Sequence, residues 1–571
     1  MNFAEYLFEH SARKEDLFLA GTREELRHDE LYQKVNACAE RLHAQFGTQN
    51  EFLLVSDNTL FFIVSYLAII KSGNHALVIE PRTSDADLDA ILHMCDIACV
   101  LAQNKYAPRF GDAAPVMDEA VLDLPAPGDA RCDAPMDDDE TAVVLFTSGS
   151  TGTKKGVMLS HKNLRANTES IIRFLEITEN DRIYALLPFS FTFGTSLLHT
   201  HLRAGGSMVM GNSVFPGAIV TEIDQYRCTG FAGVPSTYQI LANKTSFLDR
   251  EFPHLRYFQQ AGGQLVNKYL AMIGNAFPGK PFYVMYGLTE ATARCSFLPP
   301  EHFWHKLGSI GKGIPGDVHL EVVDDRGLPV GPGETGEIVV TGDSVMRGYY
   351  KDPDATAQAI RDGRLYTGDL ATVDEDGFVY FLERKSSIIK SGGFRISPNE
   401  IEALIMGIDG VSACAVIGVA DDLMGESVAA IVRPDNNHHS SSTNTSTNSS
   451  RARARPGAAA TGANPNPGAM ASTMAGARTT TNPTANQGAM AARHHTSTEE
   501  LRRAILSACT AAFPSHKVPR TIEFVDEFPL NSSLKFDLIK LRKMIEEKQG
   551  SGQPSTLGEG AATRSAPGPR C

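Results

Sequence analysis

The run AVVLFTSGSTGTKKG, residues 142–156, decides how the rest of the chain is read. Its first five residues, 142–146, have the length and β-branched content of a buried strand. The next ten hold three glycines, five hydroxyl side chains and two lysines. Glycine lets a backbone come close to a ligand, and successive N–H groups in such a loop form an anion nest. Ser and Thr hydroxyls add donors, and lysine adds a compact positive charge suited to phosphate oxygens. A Gly/Ser surface turn is the plainer alternative, which the flanking strand disfavours. The GxxxxGK[ST] spacing is absent, so this is not a Walker A loop but a phosphate loop of another kind. Downstream, Ser160 is placed to cap a helix whose apolar side carries Leu164, Ile171, Ile172 and Leu175.

Length and composition bound what surrounds this loop. A chain of 571 residues should hold more than one domain, with ample apolar content for sizeable cores. A net charge of −14 argues against a general nucleic-acid or anionic-membrane surface. Nine cysteines are scattered without a CxxC pair. Cys95 and Cys99 lie one helical turn apart, but four metal ligands do not assemble around them, so reduced cysteines are the simpler reading. The start, MNFAEYLFEH, has acids where a signal peptide carries a basic region. The most apolar run, 60–70, is too short to span a bilayer, and a cytoplasmic protein without an integral membrane segment is expected.

Before the loop, 26–46 reads as an amphipathic helix with Leu31, Val35, Cys38, Leu42 and Phe46 on one face. Then follow strand 51–56, buried helix 61–70, strand 76–79, helix 85–94 and strand 98–102. That alternation implies a parallel sheet covered by helices. Further strands are expected at 182–187, 231–235, 255–259 and 282–285. Short β segments joined by Gly/Pro turns follow within 308–315, 321–323 and 336–340. Residues 373–382 read as a hairpin turning at 374–377, and 399–406 (helix), 413–419 and 428–433 (strands) begin a smaller domain. From 435 to 497 the chain is Asn, Ser, Thr, Ala, Gly and Pro with almost no aliphatics, and carries five Arg against one Asp. Nothing there can form a core, so it reads as a disordered insert in a surface loop. A helix at 498–512 and a strand at 522–525 resume the domain, and 549–571 reads as a disordered tail.

TSGSTGTKKG closely resembles the signature loop of the adenylate-forming enzymes, which include acyl-CoA synthetases, peptide-synthetase adenylation domains and beetle luciferases. Further matches stand in that family's order: QAGGQ (260–264), YGLTE (286–290), YTGDL (366–370), ERKSSIIKSGGFRISPNEIE (383–402) and FPLNSSLKFDLIKLR (528–542). KSGNHALVIEP (71–81) and RGYYKDP (347–353) are family-like too, without assigned chemistry. The resemblance implies an α/β fold. A large AMP-binding domain, 1–383, combines helix-covered sheets with a β-barrel-like part, and a smaller mobile α+β domain, 384–548, acts as a lid. It implies that Thr147, Ser148, Gly149, Ser150, Thr151, Gly152 and Lys155 hold phosphates. Gly262, Gly263 and Gln264 would form the turn beside adenine, with Tyr286 and Gly287 packing against the ring. Thr289 would bond the α-phosphate, and Glu290 would help hold Mg²⁺, a hard cation that wants carboxylate and phosphate oxygen. Asp369 would accept both ribose hydroxyls, Arg384 would contact ribose, and Arg395 would approach phosphate. Lys535 falls on the catalytic lysine position, where an ammonium steadies charge developing at the α-phosphate; a surface lysine is the alternative.

The implied reaction uses ATP and Mg²⁺ to turn a carboxylic acid into acyl-AMP. A thiol then takes the acyl group, either that of CoA or the phosphopantetheine of an acyl-carrier protein. Gly392 and Gly393 would border the thiol's tunnel. PFSFTFG (188–194) corresponds to the segment lining the acid pocket, with Phe191 and Phe193 as pocket residues unless these aromatics are plain core. No acidic residue there could neutralise an ammonium, so a fatty or other apolar acid is expected over an α-amino acid. Two positions depart from the family pattern. Ser386 stands at the hinge, where Asp or Lys is usual, and Leu534 precedes the lysine, where Gly is usual. These departures leave a nucleotide-binding protein with impaired catalysis as a further alternative.

Overall fold

A computed structural model describes residues 1–21, 25–111, 114–125, 137–148, 154–211, 215–316, 318–421, 423–435, 498–531 and 535–550. The expected insert, apart from Asp435, and the expected tail past Gly550 lie outside these residues.

Two large sheets face each other across a layer of helices. The seven-stranded sheet has Glu51–Val55 near its centre, flanked in parallel by His75–Val78 and Ile97–Ala102, with Thr141–Ser148 parallel beyond His75–Val78. The nine-stranded sheet contains Arg182–Ala185, Ser207–Met210, Gly230–Gly233, Tyr257–Gln260 and Phe282–Tyr286, again parallel. Strand side chains alternate between faces. Phe52 and Leu54 join the core shared with the second sheet, while Leu53 and Val55 pack outward with Leu88 and Ile91. Ile183 and Ala185 point into the same shared core and Tyr184 into the opposite one.

The layer between the sheets explains which helices carry a readable period. Leu60–Lys71 is buried from Phe61 to Lys71, because the seven-stranded sheet covers one side and the helices Phe3–Phe8 and His28–Phe46 cover the other. Thr59 caps it by accepting from the Phe62 N–H. His161–Leu175 starts as expected at Ser160, whose hydroxyl accepts from the Asn163 N–H while the Asn163 side chain accepts in return. Among the described residues no helix is long and apolar enough to cross a membrane.

Several expected boundaries shift for physical reasons. The helix expected over 26–46 is His28–Phe46, since Leu26–Arg27 pairs with Leu17–Leu19 as a strand. The strand expected to end at Pro235 ends at Gly233, and Pro235 opens the helix Pro235–Lys244, where its fixed φ and missing N–H cost nothing. Only Lys312–Gly313 of 308–315 pairs as a strand. YTGDL lies inside the long strand Arg364–Val373.

A five-stranded antiparallel sheet follows, built from His319–Val323, Thr335–Thr341, Ile360–Arg361, Arg364–Val373 and Val379–Arg384. A second five-stranded sheet then forms around the pair Val411–Asp421 and Gly425–Pro434, joined by Ile389–Ser391, Phe394–Ile396 and Thr521–Phe524. Its faces are covered by Pro398–Met406 and Thr498–Ala512 on one side and by Leu538–Gly550 on the other. This smaller part rests on the large one, with the Tyr269 hydroxyl donating to the Ser412 carbonyl and Lys244 paired with Glu527.

Candidate active site

The stem of the glycine-rich loop is the antiparallel pair Thr141–Ser148 and Lys154–Ser160, with Thr147 opposite Lys155. Gly149, Ser150, Thr151 and Gly152 lie outside the described residues, as does the side chain of Ser148. A Cβ on Gly156 would stand 2.9 Å from Val144 Cγ1 and 3.0 Å from Tyr350 Cβ, so the stem packs too closely there for a side chain. Lys155 Nζ lies 4.9 Å from the centre of the Tyr349 ring. The Tyr349 hydroxyl donates to Glu290 Oε1 at 3.0 Å. One tyrosine of RGYYKDP thus joins the lysine of the loop to the carboxylate expected to hold a cation. Sequence reading passed over it, because a tyrosine in a Gly- and Pro-bounded turn carries no signal of what its hydroxyl will reach.

Tyr286 pairs with Ser296 across the antiparallel strands Phe282–Tyr286 and Ser296–Leu298, so 287–295 is one wide hairpin loop. It carries Gly287, Thr289, Glu290 and Arg294. A Cβ on Gly287 would collide with the Ala293 carbonyl, where the two arms of the loop meet. Thr292 sits at φ +69° and ψ −55°, a conformation rare for a β-branched residue and costing roughly 1–3 kcal/mol. Its hydroxyl holds it there by donating to the Ser344 carbonyl at 2.6 Å. The Met346 N–H donates to the Glu290 carbonyl at 2.8 Å. Neighbouring chain therefore sets the shape of the loop, and with it the aim of Thr289 and Glu290.

Asp369 is 1% exposed. The Tyr286 hydroxyl donates to its Oδ2 at 2.7 Å. Its Oδ1 accepts no hydrogen bond from the described residues, although Arg384 Nε lies 2.9 Å away as an ion-pair partner. Burial pushes the Asp369 carboxyl above the usual range, opposed by the Arg384 charge. A buried carboxylate oxygen facing only this one exposed guanidinium has lone-pair capacity left for a ligand hydroxyl.

Lys535 approaches the same cleft from the smaller part. Its backbone and Asn531 bond reciprocally, the Lys535 N–H to Asn531 Oδ1 at 3.0 Å and the Asn531 N–H to the Lys535 carbonyl at 2.7 Å. Phe528 and Phe536 stack at 4.3 Å to brace that turn. Leu534 lies outside the described residues. A Cβ on Gly262 would stand 3.9 Å from Lys535 Nζ, so the ammonium hovers over the glycine turn. Burial and the Arg384 charge push its pKa down to about 8, against the pull of Asp369. Solvent still reaches both Lys535 and Arg384, as expected of side chains crowded inside an open cleft. Gly262 has φ +83°, a left-handed conformation that favours glycine, and Gln260 Nε2 donates to the Gly263 carbonyl to close the turn. Gly263 and Gln264 are exposed at its rim.

Phe191 precedes the helix Thr192–Ala204 and Phe193 lies in its first turn, both half-buried. Phe189 is fully buried against Phe62, so of the three aromatics it belongs to the core. Gly392, Gly393 and Arg395 belong to the hairpin of Ile389–Ser391 and Phe394–Ile396, whose turn packs on Met424. Arg395 is exposed, and no hydrogen bond or ion pair among the described residues joins this hairpin turn to Asp369, Arg384 and Lys535. Ser386 is exposed in the turn after Arg384. Among the described residues no cluster of three or more His, Cys, Asp or Glu side chains could hold a metal ion unaided. Glu290 would therefore need oxygen ligands from a bound phosphate to complete a magnesium site.

Comparison with known proteins adds independent findings. Residues 8–350 match the AMP-binding enzyme family, and residues 400–455 match the AMP-binding enzyme C-terminal domain. A feruloyl-CoA synthase of an Amycolatopsis species is 37% identical over 321 residues, covering 55% of this chain and 63% of that protein. A long-chain-fatty-acid–CoA ligase of Salmonella typhimurium is 35% identical over 300 residues, covering 52% of this chain and 53% of that protein. The matches thus span between half and two thirds of these relatives. Among solved structures, ATP-bound MatB from Rhodopseudomonas palustris superposes with a TM-score of 0.77 at 23% identity, covering 96% of this chain and 99% of that one. At that identity the likeness establishes the fold.

Proposed function

The chain belongs to the AMP-binding enzyme family, and from that premise we propose that it is an acid–thiol ligase. It activates a carboxylic acid with ATP and passes the acyl group to CoA. The observation that carries the reading is the buried Asp369, with one oxygen held by the Tyr286 hydroxyl, the other facing Arg384 Nε at 2.9 Å, and Lys535 beside them. A relative named for feruloyl-CoA synthesis and another named for long-chain fatty acids support a CoA ligase. Those names support aryl and fatty acids as candidate substrates, and half-buried Phe191 and Phe193 suit an apolar acid body.

Asp369 Oδ1 accepts from the ribose, and Tyr286 with the 262–264 turn bounds the adenine. The loop around Thr147 and Lys155 cradles the outer phosphates. Magnesium, when bound at Glu290, withdraws charge from the phosphates. The substrate carboxylate attacks the α-phosphorus and pyrophosphate leaves, giving acyl-AMP. Lys535 and Thr289 stabilise the charge that grows on the α-phosphate oxygens. A thiol then attacks the acyl carbon, loses its proton, and AMP leaves. That second step needs the Gly392–Gly393 turn beside the acyl group. The smaller part therefore turns about the Ser386 region and withdraws Lys535 between the steps.

Pyrophosphate exchange into ATP over a panel of fatty, aryl and amino acids tests this reading, followed by CoA and a phosphopantetheinylated carrier protein as acceptors. Acid-dependent exchange and faster thioester formation with CoA are expected. A proteinogenic amino acid as the best substrate, or transfer to a carrier alone, would overturn the respective part, and no exchange with any acid would leave only nucleotide binding.

A further inference from the structure

Among the described residues Arg294 is the largest side chain to be fully buried, at 0% exposure, and it lies four residues after Glu290 in the same hairpin loop. Its placement is set from both sides. Asn167 Nδ2 donates to its carbonyl at 2.8 Å and Asn167 Oδ1 accepts from its N–H at 3.3 Å. The guanidinium then lies over the Phe193 ring, with Cζ 3.9 Å from the ring centre. Phe193 belongs to the pocket segment and is itself half-buried.

What the guanidinium lacks is an acid. Nη1 donates to Ser196 Oγ at 2.8 Å and Nη2 to Gln259 Oε1 at 3.4 Å, while Nε has no partner among the described residues. Gln259 Nε2 is likewise unpaired. Among the described residues no Asp or Glu forms an ion pair with it, and burial pushes its pKa down to about 9. A buried guanidinium served only by neutral side-chain acceptors costs several kcal/mol, and an apolar residue of similar volume would fill a purely structural position at no such cost. An enclosed cavity of about 10 Å³, room for one water, adjoins its partner Ser196, walled also by Asn167, His199, Thr292 and Ala293. Among the described residues none that lines this cavity is an Asp or Glu, so beyond Ser196 it holds no acid for the guanidinium.

Resting on the ligase reading above, we propose that Arg294 is a specificity-determining residue that receives a second carboxylate at the far end of the substrate acid. To reach it, the substrate's carboxylate must turn aside the Phe193 ring that lies against the guanidinium. Two parallel N–H···O bonds then satisfy Nε and one Nη, the geometry in which arginine exceeds lysine. The acid body remains apolar where it passes Phe191, and the ammonium of an α-amino acid gains nothing.

The experiment compares α,ω-dicarboxylic acids of four to ten carbons, and 4-(2-carboxyethyl)benzoate, with monoacids of matched length in pyrophosphate exchange. At least one diacid is expected to exceed its matched monoacid tenfold or more in kcat/KM. In Arg294→Met that diacid should lose at least 30-fold, mainly through KM, while the monoacid stays within threefold; Arg294→Lys should retain part of the preference. Monoacids ahead at every length in the unaltered enzyme would overturn the inference while leaving the ligase reading intact. Equal losses for both acid classes in Arg294→Met would assign Arg294 a structural role instead. Exchange with no acid at all would remove the ligase reading, and this inference with it.

Discussion

At the scale of the residue, the site depends on how far burial moves ordinary charges. Lys535 illustrates it: burial and Arg384 lower its pKa to about 8, whereas Asp369 pulls the other way. In the proposed reaction the ammonium is the working form in acyl-AMP formation, so the sign is set. The group is charged below about pH 8 and loses its charge as pH rises through that value. In the free enzyme kcat/KM for ATP should therefore fall about tenfold per pH unit above roughly 8, and the same limb should be missing from Lys535→Ala. A flat profile to pH 9.5 in the unaltered enzyme would show that this ammonium is not what titrates. Position 535 was legible in the sequence because a lysine follows FPLNSSL near the end of the second domain. Its lowered pKa was not, since that comes from burial in the folded cleft and from Arg384, 151 positions earlier in the chain. Arg294 and Tyr349 were illegible for the same reason: their meaning lies in Phe193, Ser196, Lys155 and Glu290, which only the fold brings to them.

At the scale of the element, the hairpin loop 287–295 concentrates the site. Glycine at 287 is required by contact: the Ala293 carbonyl occupies the space of any Cβ. Gly287→Ala must push the two arms apart, and overpacking of this kind costs roughly 1–3 kcal/mol. A drop of several degrees in Tm, together with loss of nucleotide binding by titration calorimetry, is expected; an alanine variant with parental Tm and affinity would contradict the close approach. YGLTE stood out as a motif, but the hairpin holding it did not, because its closing strand Ser296–Leu298 is only three residues long. The same limit hid whole helices. Thr192–Ala204 is buried from Gly194 to Leu202, so it offers no amphipathic period to read. Short strands such as Glu51–Val55 were legible because both faces are buried, which leaves a continuous apolar run of strand length.

At the scale of the whole molecule, two parts meet at a cleft between Asp369 and Lys535, and the smaller one accommodates a long stretch of low-complexity sequence. Its ends are tied: the Asp435 N–H donates to the Gly410 carbonyl, and Thr498 opens the next helix. Shortening 436–497 to a ten-residue Gly/Ser linker changes loop-closure entropy by about 1–2 kcal/mol in the stabilising direction. The shortened protein should keep its Tm within a few degrees and its exchange kinetics within twofold, and a large loss of either would show that the segment takes part in folding or catalysis. The account as a whole rests on a lysine that serves one half-reaction and is withdrawn for the other. The most direct test measures both halves separately in Lys535→Ala: acyl-AMP formation by pyrophosphate exchange, and thioester formation from supplied acyl-AMP and CoA. The account predicts a loss of roughly 100-fold or more in the first, the usual effect of removing one charge-stabilising donor, with the second within threefold of the parent. Equal losses in both halves would contradict it.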